Sequence, residues 1–445
     1  MSYAERLENV TVLGAAGKMG SGIVLLTALE MADLALDPAH KDREFTLNAV
    51  DISSKALTGL VKYLRAQVLR TAEKKTVALR AVYADRADLI ENEDIIRQYV
   101  EDVLAFVRPT TRIEAAHGST LVFEAVNENP DLKVKLLAGI KDNNSRGAWF
   151  LTNTSSIPIS ELDARIGLGG RIVGFHFYNP PAVQKLVEVI RAGTTLPELA
   201  EFAAQYAKKL RKTVVASNDV AGFIGNGHFM RDALHGIADA ERLSGQYGFV
   251  DAVYMVNKVS QEFLIRPMGI FQLVDYVGLD VCRFILGVMN ERLPGQGLRS
   301  PLVDGMLGMG VAGGQFPDGS QKDGFLKYEK GRPAGVFNPD TKAYVPLAEI
   351  SARCDERLGP LPSSAKPWKG VIGMADKAGF LEGYFKELRK MDTLGADLAR
   401  EYGRRSKEIG LGLVRDGVAR KDEDVNTVML TGFYHAYGPV NGYFD

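Results

Sequence analysis

The chain predicts an α/β domain with a mainly parallel sheet, followed by an all-α C-terminal region built of two related helical units. Three observations carry that expectation. Short apolar, β-branched runs alternate with helix-like segments over roughly the first 215 residues, the pattern of a parallel sheet covered on both faces. After Ser217 the strand signal fades, and residues 221–290 read mainly helical. Finally, "DAVYMVNKVSQEFLIRPMGIFQLVDY" (251–276) is echoed, with a short deletion, by "DVNTVMLTGFYHAYGPVNGYFD" (424–445), which reads as a duplicated helical unit.

The elements follow in order. "NVTVLG" (9–14) is a strand ending in a glycine turn, and "KMGSGIVLLTALEMADL" a helix. "TLNAVD" (46–51) is a second strand, followed by the long helix "SKALTGLVKYLRAQVLRTAEKK". "STLVFEAV" (119–126), "AWFLTN" (148–153), "RIVGFH" (171–176), "KLVEVI" (185–190) and "TVVAS" (213–217) are further strands. Eleven glycines between Gly295 and Gly335 argue for loop, with room for a hairpin in "GFLKYEKGRPAGVFNPDTKAYVP". Helical pattern returns near residue 370. The expected domains are 1–216, 217–330, a linker 331–370 and a second helical copy 371–445.

Bulk properties narrow the function classes. A length of 445 residues is consistent with about three domains. Hydrophobic residues at 46%, charged residues at 24% and a net charge of -1 fit a soluble globular protein and give no footprint for nucleic acid or an anionic membrane. Two cysteines, Cys282 and Cys354, imply no disulfide framework and fit a reducing cytoplasm. The first strand begins too early for a signal peptide to precede it. The most apolar early segment contains Glu30 and Asp33, so it reads as a soluble helix and not a membrane span.

Between the first strand and helix lies Gly14-Ala15-Ala16-Gly17-Lys18-Met19-Gly20. Glycines there allow a tight turn and close backbone approach, and the helix start offers N–H groups and a dipole to a pyrophosphate. Asp51, at the end of the second strand, can accept hydrogen bonds from ribose hydroxyls and would repel a 2′-phosphate. Loop and acid together predict a Rossmann-type domain that binds NAD, although Asp51 also reads as a helix cap. The spacing is GxxGxxG, and "DPAHKDRE" lengthens the path to Asp51.

The six histidines divide by context. His40 and His117 are in polar surroundings, and His228, His235 and His435 are on helical patterns. His176 alone ends a buried-type strand. Twelve residues on, Glu188 sits inside "KLVEVI", where an unpaired carboxylate would cost several kcal/mol. Either residue alone reads as core. Paired, Glu188 would fix the His176 tautomer and stabilise the imidazolium, leaving the other ring nitrogen to take a proton from a hydroxyl. "TNTSSIPISEL" (152–162) supplies Asn153, Thr154, Ser155 and Ser156 at a strand's carboxyl end, with Ser160 a candidate helix cap. "NDVAGFIGN" places Asn226 at the start of the second region.

"FEAVNENPDLK", "TNTSSIPI", "GFHFYNPPAVQKLVEVI", "NDVAGFIGN" and "RPMGIFQLVDYVGLD" occur here in order. With these motifs the chain resembles the L-3-hydroxyacyl-CoA dehydrogenases over residues 9–290, more loosely through the glycine-rich stretch, and again over the final ~50 residues. The resemblance implies oxidation of a 3-hydroxyacyl-CoA by NAD, as in fatty-acid β-oxidation or its reverse. It implies His176 as general base, Glu188 as its partner, and Ser155 and Asn226 as groups on the substrate oxygen. Asn179 and Glu128 match residues near the nicotinamide, Lys133 a nearby cofactor contact, and Lys74 a coenzyme A phosphate contact, although Lys62, Arg65, Arg70, Lys74 and Lys75 also read as a solvated helix face. No metal is implied.

Three departures accompany the resemblance. The glycine loop is one residue longer than the usual form. The K-x-G-x-G-F signature has only a distorted counterpart near Lys322 in "SQKDGF". The second helical copy, aligned through Asp251 and Asp424, puts Ala399 opposite Asn226 and so reads as catalytically vacant. It could pack on the first copy as an internal pseudo-dimer, in place of a homodimer partner. Expected partners are an acyl-CoA and separate hydratase and thiolase enzymes. Two other readings stay open: a dehydrogenase of a free 3-hydroxy acid or sugar acid, and a non-catalytic dinucleotide-binding scaffold.

Overall fold

The computed structural model describes residues 1–40, 42–316 and 319–445. The chain divides into two compact units, Met1–Asp219 and Val220–Asp445. No helix among the described residues is long and apolar enough to cross a membrane.

The first unit opens with a short helix, α1 (Tyr3–Arg6). It continues β1 (Asn9–Leu13), α2 (Lys18–Ala35), β2 (Thr46–Val50), α3 (Ser54–Val82), α4 (Asn92–Ala105), β3 (Val107–Thr110), β4 (Leu121–Glu124), α5 (Pro130–Asn143), β5 (Trp149–Thr152), α6 (Ile159–Ile166), β6 (Ile172–Phe177), β7 (Leu186–Arg191), α7 (Pro197–Lys209) and β8 (Thr213–Asn218). Among the described residues these strands form one eight-stranded sheet, ordered β3-β2-β1-β4-β5-β6-β7-β8. Neighbours pair in parallel except β6 and β7, which are antiparallel. The eight residues joining them, 178–185, are too few for a parallel crossover, which takes about a dozen. β3 escapes the sequence pattern because "VRPT" is short, mostly exposed and contains a proline, all tolerated at a sheet edge. The strand order reverses between β1 and β4, and the crevice at the carboxyl ends there is where open α/β sheets bind ligands.

Phe175 shares one core with α2, α3, α4 and α7, while Gly174 lets Ile159 of α6 pack on the other face. α6 begins under a cap that the sequence reading assigned to Ser160. The Asp219 carboxylate accepts from Ile159 N (2.5 Å) and Ser160 N (2.8 Å), a well-placed anion at a helix N-terminus.

The second unit contains α8 (Gly225–Tyr247), α9 (Phe249–Lys258) running into a π turn (Val259–Phe263), α10 (Ile270–Val277), α11 (Leu279–Arg292) and α12 (Pro301–Gly308). Then come β9 (Leu326–Glu329), β10 (Arg332–Asn338), β11 (Ala343–Pro346), α13 (Leu347–Leu358), α14 (Trp368–Ile372), α15 (Lys377–Leu388), α16 (Leu394–Arg415) and α17 (Asp422–Gly432). The region is helical as expected, with an addition. The glycine-rich stretch includes α12, capped by Ser300, and the three strands pair as an antiparallel sheet, β11-β10-β9. Residues 331–370, expected as linker, hold two of those strands and α13 and α14. Val336, Phe337, Ile350, Cys354 and Leu358 are buried in the common core. Asp275 anchors this addition: its carboxylate accepts from Phe325 N (2.7 Å), Leu326 N (2.8 Å) and Tyr328 Oη (3.0 Å). Near Lys322, the distorted signature forms a turn in which Lys322 N bonds Gly314 O and Asp323 O accepts from Gly313 N.

The internal repeat has a structural counterpart. α8 and α16 begin at Gly225 and Leu394. Asn257 Oδ1 accepts from Gln272 N while lying against Gly269, and Asn426 Oδ1 accepts from Val440 N while lying against Gly438. One constant offset relates Gly225 to Leu394, Asn257 to Asn426 and Gly269 to Gly438. The repeat therefore contains no deletion in this stretch, and the offset sets Gly395 opposite Asn226, not Ala399. α8 and α16 pack on each other: Tyr402 Oη donates to Asp232 O (3.1 Å), and Arg266 joins Asp232 (2.7 Å) to Ser406 Oγ (3.1 Å). Burial alone would raise the Asp232 carboxyl, but Arg266 brings it down to about 2.

Candidate active site

The glycine loop is built to approach a ligand closely. Gly14 has φ +72°, and a Cβ there would lie 2.4 Å from Ala125 O. A Cβ on Gly20 would lie 2.0 Å from Gly14 O. Ala15 N bonds Val50 O (3.0 Å), and Gly17 N bonds Gly14 O (3.1 Å). The α2 ladder starts at Ser21 N to Gly17 O (3.0 Å), after the helix-start amides of the loop. Asp51 Oδ2 accepts from Ala16 N (3.0 Å) and Oδ1 from Ser53 N (3.2 Å), so the acid orients the loop from the end of β2. It is not the cap of α3. Ser53 is, through Ala56 N. A carboxylate has about four acceptor positions, and two remain for ribose hydroxyls. These residues fit a dinucleotide: a tight glycine cradle, helix-start amides and an acid one strand over. Eight residues past the first loop glycine, Gly22 meets the joining segment of β6 and β7, where a Cβ would lie 2.9 Å from Pro181 Cβ.

His176 and Glu188 stand directly opposite each other in the antiparallel β6–β7 register. Directly opposed side chains meet across such a ladder, and His176 Nδ1 lies 3.2 Å from Glu188 Oε1. Glu188 is fully buried, between Val187 and Val189 and beside Val215 of β8. With a carboxylate as acceptor, Nδ1 carries the proton and Nε2 presents a lone pair. A third group, missed in the sequence, joins them. Tyr178 Oη donates to the same Glu188 Oε1 at 2.6 Å, and its ring centroid lies 4.9 Å from that of His176. Burial, then the Glu188 charge, push the Tyr178 hydroxyl well above its ordinary range, so it remains a donor. Alternation was the available signal, because residues i and i+2 of a strand share a face.

A second buried cluster organises Ser155. Lys133 Nζ lies 2.7 and 2.8 Å from the Glu124 oxygens and 2.9 Å from Glu128 Oε2. Glu128 Oε1 accepts from Thr154 Oγ1 (2.6 Å) and Ser155 N (2.8 Å). Thr152 Oγ1 donates to Glu124 Oε2 (2.6 Å). Burial would raise Glu128, but Lys133 overrides it and holds the carboxyl below its usual range. Burial likewise works against the Lys133 ammonium, and Glu124 and Glu128 outweigh it. Lys133 is thus a clamp sunk beneath the Ser155 turn, with no surface left for a direct ligand contact. Glu124, hidden in the strand "LVFE", went unrecognised because nothing in its local pattern marks a partner nine residues on.

Ser155 is half-buried just beyond β5, His176 lies near the end of the neighbouring β6, and Asn153 Oδ1 ties the two strands by accepting from Phe177 N (2.9 Å). Asn179 is half-buried in the joining segment that follows. Lys74 is exposed on α3 and joins none of these clusters, while its neighbour Lys75 pairs with Asp33 (2.9 Å). Asn226 is in the first turn of α8, in the other unit.

Residues 9–220 match 3-hydroxyacyl-CoA dehydrogenase, NAD binding domain, and residues 250–328 match the C-terminal domain of the same family. The chain is 30% identical over 287 residues to the probable 3-hydroxybutyryl-CoA dehydrogenase of Bacillus subtilis, covering 64% of this chain and 87% of that protein. The chain belongs to the 3-hydroxyacyl-CoA dehydrogenase family. Rattus norvegicus mitochondrial hydroxyacyl-coenzyme A dehydrogenase is 29% identical over 325 residues, covering 73% of this chain and 92% of that one. The crystal structure of 3-hydroxybutyryl-CoA dehydrogenase from Escherichia coli has the same fold across both units, with a TM-score of 0.64, 21% identity, and coverage of 98% of this chain and 90% of that one. As a member of this family the chain is an NAD-dependent oxidoreductase, in agreement with its glycine cradle and Asp51.

Proposed function

We propose that the chain oxidises an L-3-hydroxyacyl-CoA to the 3-ketoacyl-CoA, or runs the reverse reduction, with His176 as general base. The reaction is that of its family. The roles of individual residues are our reading, and the observation that carries it is the direct cross-strand pairing of His176 with a fully buried Glu188. Gly14, Gly17, Lys18, Met19, Gly20 and Asp51 hold the dinucleotide, with Asn179 beside it. NAD, when bound, supplies the hydride acceptor. His176 Nε2 removes the hydroxyl proton of the substrate, and Glu188 offsets the positive charge arising on the ring. Ser155 Oγ, its backbone fixed by Glu128 and hence by Lys133, hydrogen-bonds the substrate oxygen, and Asn226 adds a second donor by the family resemblance. A positioned base is worth about 10²–10⁴-fold in rate. Alignment of the reacting carbon supplies much of the remainder.

The two helical repeats support a further reading: a catalytically vacant second copy packed on the first as an internal pseudo-dimer, at 217–330 and 371–445. Lys74 is proposed as a coenzyme A phosphate contact. The cytoplasm is the proposed compartment, with a separate hydratase and thiolase acting before and after this step. The test is oxidation of NADH followed at 340 nm with acetoacetyl-CoA and, separately, free acetoacetate. Saturable turnover with the thioester, abolished in His176→Ala while NADH still binds, is expected. Preference for the free acid would overturn the substrate assignment, and near-normal turnover in the variant would remove His176 from the mechanism.

A further inference from the structure

Glu188 Oε1 serves two donors. His176 Nδ1 reaches it from the opposing strand at 3.2 Å, and Tyr178 Oη reaches it at 2.6 Å. The shorter contact belongs to the tyrosine. We propose that Tyr178 is a positioning residue for the base: it holds the Glu188 carboxylate in place and shares the oxygen that faces His176, thereby limiting how strongly Glu188 favours the protonated ring. This rests on the functional reading above and adds to it a third member that acts through Glu188.

Tyr178 and His176 are titratable partners of Glu188 within this unit. Along β7 its neighbours are Val187 and Val189, and on β8 it is paired with Val215. Lys212 and Tyr206 approach Phe177 and Phe175, whose side chains take the other face of β6. α6 covers the same face as His176, through Ile159 against Gly174. Its charged groups are engaged elsewhere: Arg165 with Asp131 and Glu161, and Asp163 with Gly170 N and Thr194 Oγ1. Asp219, at its start, is spent on the α6 amides.

A hydrogen bond to a carboxylate is about twice as strong as one between neutral groups, and it disperses the anion's charge. With the hydroxyl gone, Glu188 Oε1 loses one of its donors and favours the imidazolium more. A ring that protonates more readily is a poorer base at low pH. Tyr178→Phe keeps the ring and its contact with His176 and deletes only the donor.

The experiment compares wild type, Y178F, E188Q and the double variant. In Y178F the acid limb of kcat/KM against pH for oxidation of 3-hydroxybutyryl-CoA by NAD should move up by about half to one unit, with KM for NAD unchanged. On the E188Q background, Y178F should cost little further. Superimposable pH profiles, or an equal loss on both backgrounds, would overturn the proposal. A readout free of turnover is the pH dependence of the His176 Cε1–H NMR signal, which should shift to higher pH in Y178F; an unmoved midpoint sinks the tyrosine's role even if no substrate turns over. Absence of turnover with either acetoacetyl-CoA or acetoacetate would instead count against the functional reading alone.

Discussion

Glu188→Gln isolates the charge at the centre of the site. Glutamine keeps the volume and one acceptor oxygen, so packing between Val187 and Val189 persists and only the negative charge is lost. At the 3.2 Å separation from His176 Nδ1, an effective dielectric near 20 gives about 5 kcal/mol between full charges. In the transition state the ring carries only part of a proton. If half the charge has developed, the variant forfeits about 2–3 kcal/mol of selective stabilisation, or about 30- to 150-fold in kcat. The assay is steady-state oxidation of 3-hydroxybutyryl-CoA at saturating NAD, with NADH affinity measured independently by fluorescence. The expected result is that drop in kcat with cofactor affinity held within about twofold, because the charge matters only when the ring is protonated. A kcat within about threefold of wild type would mean that the pair is structural and that the proton leaves by another route.

Three further outcomes follow from other parts of the chain. Lys133→Met leaves Glu124 and Glu128 facing each other in the interior without their cation, and should cost about 3–5 kcal/mol in urea unfolding; a loss under about 1 kcal/mol would show that the carboxylates find other partners. Gly20→Ala puts a methyl 2.0 Å from Gly14 O, so NADH affinity in a fluorescence titration should fall by about tenfold or more as the cradle opens; unaltered affinity would take this loop out of the cofactor site. Asp232 has a folded-state value of about 2, below the unfolded value of about 3.9. It therefore contributes about 2 kcal/mol that is fully present above pH 4 and lost as pH falls through 2. Asp232→Asn should unfold more easily at pH 5 yet show a flatter decline between pH 4 and 2, and an identical slope would refute the assignment.

Much of this site was legible because its parts are local. Strand, glycine turn and helix are contiguous from Asn9 to Ala35, and each carries its own signature. The His176–Glu188 pairing was readable for a related reason: eight intervening residues allow only a tight reversal, which brings the two strands side by side. That same count also excluded a parallel pairing of β6 with β7, and the uniform alternation of strands and helices masked it. Tyr178 was half-visible, since the period of two gives its face but not the reach of its hydroxyl. Lys133 was singled out in the sequence as a cofactor contact, but its burial beneath Ser155 depends on Glu124, and a buried acid looks like any other polar interruption of a strand. A hairpin was legible in "GFLKYEKGRPAGVFNPDTKAYVP", and β9, β10 and β11 pair there; its anchor was not, because the Asp275 carboxylate that collects two of its backbone amides lies about fifty residues upstream. The offset between the helical repeats emerged only from matched contacts, Asn257 on Gly269 and Asn426 on Gly438, because few identical residues survive between the copies.

The helix that starts at the phosphate cradle has no side chain at Gly22, and the ring of Pro181 fills the place one would take. Two parts of the proposed site, the loop assigned to the nucleotide and the strand pair assigned to the acid–base step, are thereby bolted together without a spacer. Sliding either by the width of a methyl group means moving both, so the chain has little freedom to retune its grip on the coenzyme while leaving the chemistry alone.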